Sequence, residues 1–407
     1  MPKYFPIKTE TACALKWSWN TVKLYNGETS SCHRVQPDSI TEFDLFHNTD
    51  KKIADRQLML AGKWPQGGCE YCSDVEAVGG YSDRQLHLNI PDTYPQELDG
   101  NPTLTHVNPT ILEVYLDNVC NMSCLYCYDG FSSQIQQENN QYGVFDSNGV
   151  VIQNRTQRHA NYEQLKDNFW TWMKANSTSL KRLHILGGEP FYQKDFATCL
   201  DYLEDSQHSE LEFNVVSNLN IKHDVFVKQI ARIKQLVHSR RIKRFDLTAS
   251  IDCWGPEQEY VRQGLDLALW RSNFEFLVEQ TWIELNINQT LSVLTIKTIP
   301  EMLDYVNSLS RPIGHYMGGV TLTYDFLHPK IFGKGFYSQD FSRIIKSIRY
   351  MGALKYMQGF VLQLESCERD QVQINQLATY LSELDRRRNT NWQQTFPWLK
   401  SEITNVV

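Results

Sequence analysis

No apolar run in this chain approaches the about 18 residues that a membrane-spanning helix needs, so no membrane span is expected. Lys and Arg never form a long block, and the formal net charge is -7, which removes the electrostatic basis for nonspecific nucleic-acid binding. The opening MPKYFPIKTE lacks the basic-then-apolar pattern of a secretory signal. A cytoplasmic location is the expectation that follows. Nor is the chain short of apolar residues: at 407 residues and 41% hydrophobic content it is neither a disordered polymer nor a small disulfide scaffold, and two or three domains would fit.

Cysteine is present but unevenly spread. Cys13, Cys32, Cys69 and Cys72 lie in the first quarter, Cys120, Cys124 and Cys127 fall within eight residues, and Cys199, Cys253 and Cys367 stand apart. A reducing cytoplasm disfavours disulfides, so clustered thiols there point to metal binding or chemistry.

From residue 110 onward, strand-like and helix-like segments alternate. TILEVYL, RLHILGG, EFNVVSN, RFDLTASID, IELNINQTLSV and VTLTYDF read as six strands. Between them YEQLKDNFWTWMK, DFATCLDYLED, DVFVKQIARIKQLVH, PEQEYVRQGLDLALWRSNFEFLVEQ and PEMLDYVNSL have helical spacing. Such alternation predicts an α/β fold with a parallel sheet and crossover helices. Six units are too few for a complete eight-fold barrel, so an open, partial (β/α)6 TIM-like barrel is the favoured architecture, with a doubly wound open sheet as the second reading. In both, ligands collect at the carboxyl ends of the strands. The three-cysteine loop, GGEP, SN and SID all stand at such ends.

Three close thiolates suit an iron-sulfur cluster, and a 4Fe-4S cluster normally takes four cysteines, so three leave one iron open. A zinc site lacking its fourth ligand is the alternative reading of this motif taken alone. CNMSCLYC, with Cys120, Cys124 and Cys127 and the aromatic Tyr126 before the last of them, resembles the CxxxCxΦC motif of the radical S-adenosylmethionine (radical SAM) superfamily. Gly187-Gly188-Glu189-Pro190, Ser217-Asn218 and Ser250-Ile251-Asp252 resemble, in the same order, the places where that family contacts SAM. The resemblance implies a SAM-binding 4Fe-4S cluster on the three cysteines, reductive cleavage of SAM to a 5'-deoxyadenosyl radical, hydrogen abstraction from a substrate, and an external electron donor such as flavodoxin or ferredoxin. Arg262, in YVRQG, resembles an element of twitch-type relatives and would pair a SAM or substrate carboxylate; a solvated helix-surface charge is the plainer reading. Cys253, directly after SID, is a candidate hydrogen donor to a substrate radical, against the plainer role of a small buried thiol.

The first cluster of cysteines precedes the barrel. Asn26-Gly27 signals a type I' turn with positive φ at both residues, joining strands Trp17 to Tyr25 and Thr29 to Val35 with Cys13 and Cys32 near their open end. Cys13, Gly27-x4-Cys32 and the Cys69-x2-Cys72 pair resemble the twitch or SPASM auxiliary-cluster module, although in most members that module follows the barrel. A second 4Fe-4S cluster is implied, and a structural zinc ribbon is the alternative for four cysteines with one Cys-x2-Cys pair. The expected organisation is 1–105 as auxiliary module, 106–330 as barrel and 331–407 as a C-terminal helical extension. Residues 131–161 read as a polar insertion with a hairpin, YGVFD and VVIQN around Ser147-Asn148-Gly149, suited to a lid or docking strand. By analogy with SPASM and twitch relatives the substrate expected is a peptide or protein; a sugar or nucleotide is the second reading, and a noncatalytic metal-binding or redox-sensing protein the third.

Overall fold

The structure, a computed structural model, describes residues 2–77, 79, 81–145, 151–152, 157–320 and 324–403. Among them nine strands form one sheet. In chain order these are β1 (Trp19–Lys23), β2 (Glu28–Ser30), β3 (Asp38–Ser39), β4 (Ile111–Tyr115), β5 (Arg182–Leu186), β6 (His208–Ser217), β7 (Ile242–Ser250), β8 (Ile283–Leu291) and β9 (Gly314–Val320). Across the sheet they run β9-β8-β7-β6-β5-β4-β1-β2-β3. Every pairing from β1 to β9 is parallel, and β2 and β3 add antiparallel at the β1 edge.

Parallel neighbours need crossovers, and helices supply them: Tyr162–Asn176 before β5, Lys194–Asp205 before β6, His223–His238 before β7, Gly255–Val261 and Leu267–Glu279 before β8, and Ile299–Ser308 before β9. In His223–His238 the buried residues Phe226, Ile230, Ile233 and Leu236 recur at helical spacing. Full burial of an apolar side chain of this size contributes about 1.5–3 kcal/mol, so docking stabilises a helix that would be marginal in isolation.

Strand register separates the two faces of the sheet. Leu112, Leu183, Phe213, Phe245 and Ile283 form one row and Val114, Ile185, Val215, Leu247 and Leu285 another, all buried in one core with helix residues such as Phe169, Leu200 and Ile230. Between those rows, on the opposite face, stand Glu113, His184, Asn214, Asp246 and Glu284. A doubly wound sheet is covered on both faces and its strands are apolar on both. The polar face, and a strand order that proceeds from β4 to β9 without reversal, correct that second reading.

Several local expectations are also corrected. The helix expected over 256–280 is two helices, because Gly264 turns to φ +97° and Asp266 caps a new start at Ala268 and Leu269. The last parallel strand among the described residues, Gly314–Val320, starts six residues ahead of VTLTYDF and shares Val320 with it; residues 321–323 lie outside the described residues, and Asp325–Leu327 is a 3-10 turn. Asn26 does not have positive φ: β1 and β2 are joined by a four-residue turn, Leu24–Gly27, in which Gly27 alone does (+70°), and β1 then docks on β4. In the insertion, Ser133–Tyr142 is helical, and Val144–Phe145 pairs with Val151–Ile152; the expected turn 147–149 lies outside the described residues. The C-terminal segment is helical, with Ser338–Ser347, Met351–Leu364 and Gln371–Arg388 as its main helices.

Candidate functional site

The cysteine loop leaves β4 at its carboxyl end and is held from three sides. Ser123–Cys124 pairs antiparallel with Arg262–Gln263, which places Arg262 opposite Cys124. Leu125 N–H donates to the Val261 carbonyl at 2.9 Å. Ser132 Oγ donates to the Met122 carbonyl, and Ser133 Oγ receives the Cys120 N–H.

The GGEP turn after β5 supports the loop from below. Gly187 and Gly188 both have positive φ, and a Cβ on Gly188 would lie 2.2 Å from the Val119 carbonyl oxygen. Gly188 therefore admits the cysteine loop itself, a closer backbone approach than a side chain allows, and Gly187 admits the Tyr115 ring at the end of β4. Glu189 N–H donates to Val119 O at 2.8 Å, and Gln193 Nε2 reaches the carbonyls of Asp117, Val119 and Gly187. Pro190 opens the short 3-10 turn that follows and is buried. The Glu189 carboxylate, 0% exposed, accepts from Ser217 Oγ (2.8 Å), Asn218 N–H (2.7 Å) and Phe191 N–H (3.2 Å). Burial without a cation pushes its pKa up to about 7 against those three donors. Asn218 Nδ2 in turn lies 3.0 Å from Asn121 Oδ1 and 3.9 Å from Cys120 Sγ.

The SID turn after β7 supports the other side. Asp252, 0% exposed, takes a bidentate pair from Arg262, Nε to Oδ2 at 2.8 Å and Nη2 to Oδ1 at 2.9 Å. Tyr126 Oη donates to the same carboxylate at 2.6 Å, and Thr290 N–H completes it at 2.9 Å. Arg262 is thus no solvated helix-surface charge. It is 6% exposed, lies just past the end of its helix, and bridges the SID turn to the cysteine loop. Ser250 ends β7 beside Asn288 and is buried. Cys253 is 0% exposed within the main core, its N–H bonded to Gln258 Oε1, so its thiol has the packing position of a small buried residue.

Two groups of contributors were not visible as site residues in the sequence. Asn121 and Asn220 link the cysteine loop to the 264–266 turn: Asn121 Nδ2 donates to Asn220 O, and Asn220 Nδ2 to Gly264 O. SNLN contains the second of these, two residues beyond the pair that drew notice. Helix Gln371–Arg388 packs over the outer side of the loop. Its Tyr380 hydroxyl donates to Leu125 O, Arg388 pairs with Glu138 (2.8 Å), and Asp385 accepts from Tyr260 Oη (2.9 Å), so LDRRRNTNW and YVRQG meet. Between this helix, Ser133–Tyr142 and the loop lies a cleft with about 840 Å³ of empty space, lined by Cys124, Cys127, Tyr128, Phe145 and Arg387 among others.

The other four cysteines share a second, smaller cavity, with about 360 Å³ of empty space, lined by Cys13, Cys32, Cys69 and Cys72 together with Lys16. Cys13 stands just before the short helix Ala14–Ser18 that leads into β1, and Cys32 follows β2. Gly68, at φ +127°, lets the Cys69 segment close on the turn after Cys32: a Cβ there would lie 2.2 Å from Arg34 O. Lys16, 2% exposed, pairs with Asp55 at the cavity wall.

Burial pushes Cys13 and Cys127 up to about 12 and Cys69 to about 11, and raises Cys32, Cys120 and Cys124 as well, the neighbouring thiols adding to most of these shifts. Grouped thiols in such surroundings become thiolates only with a cationic centre among them. Among the described residues no three His, Cys, Asp or Glu side chains are arranged to hold a single metal ion. As donor sets, the Cys120–Cys127 loop, with Cys124 and Cys127 on one cleft, and the four thiols around the other cavity fit clusters, whose ligands bind separate corners of a body larger than one ion.

No family model matches the chain, and no curated protein matches it. Among solved structures it is similar to Streptococcus suis SuiB bound to precursor peptide SuiA, at 13% identity and a TM-score of 0.33, over 93% of this chain and 71% of that one. At that score the likeness carries no weight for fold or function. Among the described residues no helix is long and apolar enough to cross a membrane.

Proposed function

We propose that the chain is a radical SAM enzyme: a partial barrel (106–330) preceded by an auxiliary-cluster module (1–105) and followed by a helical extension (331–407). One observation carries the reading. The three clustered cysteines are joined by hydrogen bonds to GGEP, SN and SID, the same three turns that the sequence motif picks out, through Glu189, Asn218 and the Tyr126–Asp252–Arg262 triad. A chance triplet of cysteines has no reason to be tied to all three.

Cys120, Cys124 and Cys127 would hold a 4Fe-4S cluster with one open iron for SAM; when bound, the pair supplies one-electron cleavage and a hydrogen-abstracting radical. This chain's own residues then do the positioning. Arg262 and Tyr126 fix Asp252, and through the ladder at Cys124 they fix the middle cysteine. Glu189 ties two turns beneath the loop, and Gly188 lets the turn close on it. Cys13, Cys32, Cys69 and Cys72 would hold the auxiliary cluster. Their spread around a cavity favours it over zinc, which draws sulfurs to about 2.3 Å from a single point. Reduced, clustered thiols fit a cytoplasmic setting and an external donor such as flavodoxin or ferredoxin.

A peptide or protein is the favoured substrate. An extended peptide can gain binding energy from backbone hydrogen bonds remote from the reacting carbon, and Val144–Phe145, paired with Val151–Ile152, borders the cleft beside Cys124 and Cys127. A second reading, a sugar or nucleotide, is favoured by the polar row Glu113, His184, Asn214, Asp246 and Glu284 on the polar face of the sheet. The test is stimulation of 5'-deoxyadenosine formation by candidate peptides against sugars and nucleotides, with mass spectrometry of the product. Stimulation by small molecules and by no peptide would replace the first reading with the second.

A further inference from the structure

The cavity of the four N-terminal cysteines has charge on its wall as well as thiols. Lys16 lines it together with Cys13, Cys32, Cys69 and Cys72, and its side chain is 2% exposed. Three attachments fix the residue there. Its N–H donates to Cys13 O at 3.1 Å, its carbonyl accepts from Arg56 Nε at 2.8 Å, and Nζ donates to Asp55 Oδ2, the sole acceptor of the ammonium among the described residues. The other carboxylate on the cavity wall, Asp83, is taken by Arg34 Nε at 3.1 Å.

Lys16 and the thiols also feel one another's charge. Burial pushes Cys13, Cys32 and Cys69 up in pKa, and the Lys16 charge works against that at all three. Burial alone would drive Lys16 toward its neutral form, and the charges of Cys69 and Asp55 outweigh it and hold the ammonium protonated. The interior around the cavity is short of anions. Among the described residues of 1–105, Asp55 is the only buried carboxylate, against the cations Lys16, Arg56 and Arg84 and against Lys52, which burial pushes toward neutrality. Buried charge without a counterion is unfavourable, and an iron-sulfur cubane on four thiolates is an anion that becomes more negative on reduction.

We infer, resting on the auxiliary-cluster reading, that the Lys16–Asp55 pair sets the reduction potential of the cluster held by Cys13, Cys32, Cys69 and Cys72, with Lys16 raising it and Asp55 lowering it. Charge is one of the levers on a cluster's potential. The sign follows directly: reduction adds an electron, a nearby cation favours the more negative state, and a nearby anion opposes it. Because the action is coulombic it needs no hydrogen bond to a sulfur. At an effective dielectric of about 20, a unit charge within about 12 Å shifts a one-electron equilibrium about tenfold. Lys16 and Asp55 are tuning residues, outside the substrate chemistry.

The experiment uses the full chain, reconstituted anaerobically with iron and sulfide. An EPR redox titration follows the cluster signal that is indifferent to SAM and absent when Cys13, Cys32, Cys69 and Cys72 are replaced by Ala. In Lys16→Met the ratio of reduced to oxidised cluster at a fixed potential should fall by about tenfold, a shift of ~59 mV downward for one electron. Lys16→Arg keeps the charge and should stay near wild type. Asp55→Asn should move the ratio the other way by a similar factor. Opposite shifts from the two halves of one pair are a signature of charge, whereas loss of a merely structural contact would disturb the site alike in both variants. Lys16→Met strands a buried carboxylate and can fail to load iron, in which case Asp55→Asn carries the test. An unchanged potential in iron-replete Lys16→Met, or a potential that stays or falls in Asp55→Asn, overturns the inference. If the wild type shows the SAM-responsive signal and no second one, the auxiliary-cluster reading fails and takes the inference with it, which is a distinguishable result.

Discussion

Replacing Arg262 with Leu strips two charge-assisted hydrogen bonds from Asp252, a carboxylate that is 0% exposed, and leaves it only Tyr126 Oη and Thr290 N–H. Breaking a buried ion pair by removing one partner costs about 3–5 kcal/mol, because the other charge stays buried without compensation. The two remaining donors place this case near the lower end. A loss of about 3 kcal/mol is more than a 100-fold change in the folded-to-unfolded ratio. By contrast, a solvated surface Arg would change stability by no more than about 0.5 kcal/mol. Urea unfolding followed by tryptophan fluorescence separates the two outcomes. Arg262→Lys should recover less than half of the loss, since an ammonium cannot reproduce the bidentate fork. The double variant Asp252→Leu with Arg262→Leu should be more stable than Arg262→Leu alone, because no stranded charge remains. If Arg262→Leu unfolds at the wild-type urea concentration, the triad does not hold the cysteine loop and the argument built on it is wrong.

Glu189 gives a pH signature. Its folded pKa, about 7, stands above the ordinary carboxylate value, so the folded state binds more protons than the unfolded state between roughly pH 4.5 and 7. Its contribution to stability is therefore complete below that window and is lost as pH rises through it; the stability of wild type relative to Glu189→Gln should fall by a few kcal/mol at most between pH 4.5 and 7.5, and a flat difference would sink the burial argument. Gly188→Ala should destabilise by more than the about 1–2 kcal/mol that left-handed backbone costs, since its Cβ would meet the Val119 carbonyl at 2.2 Å, and it should impair iron loading at the three-cysteine site; wild-type stability and iron content would contradict the proposed close approach. Metal analysis of protein with Cys13, Cys32, Cys69 and Cys72 replaced by Ala should show the loss of one cluster's iron, whereas zinc at that site in the wild type would overturn the auxiliary assignment.

The α/β alternation and most strand and helix positions were legible because periodicity of 2 and 3.6 survives in short windows, as in Arg182–Leu186 and His223–His238. Strand order and the one-sided burial were not, because they are set by pairing between distant segments. The start of the last described strand was missed for a local reason: GHYMGGV has three glycines and looks a poor strand, yet it lies beside β8. The motifs at strand ends were legible as turns that meet one another, but Arg262 was not legible as a buried partner, since the break at Gly264 that frees it from the helix surface is visible only once the two helices are seen. Arg387 and Tyr380 were beyond reach for the same kind of reason. Nothing in LDRRRNTNW says that it packs on a loop some 250 residues earlier in the chain.

The most direct test of the central claim is anaerobic incubation of the reconstituted chain with dithionite and SAM, with 5'-deoxyadenosine measured by chromatography and mass spectrometry. A radical SAM enzyme forms 5'-deoxyadenosine, and a variant with Cys120, Cys124 and Cys127 replaced by Ala, folded as wild type, forms none. Absence of 5'-deoxyadenosine from iron-replete wild type, or its undiminished formation by the triple variant, would contradict the account.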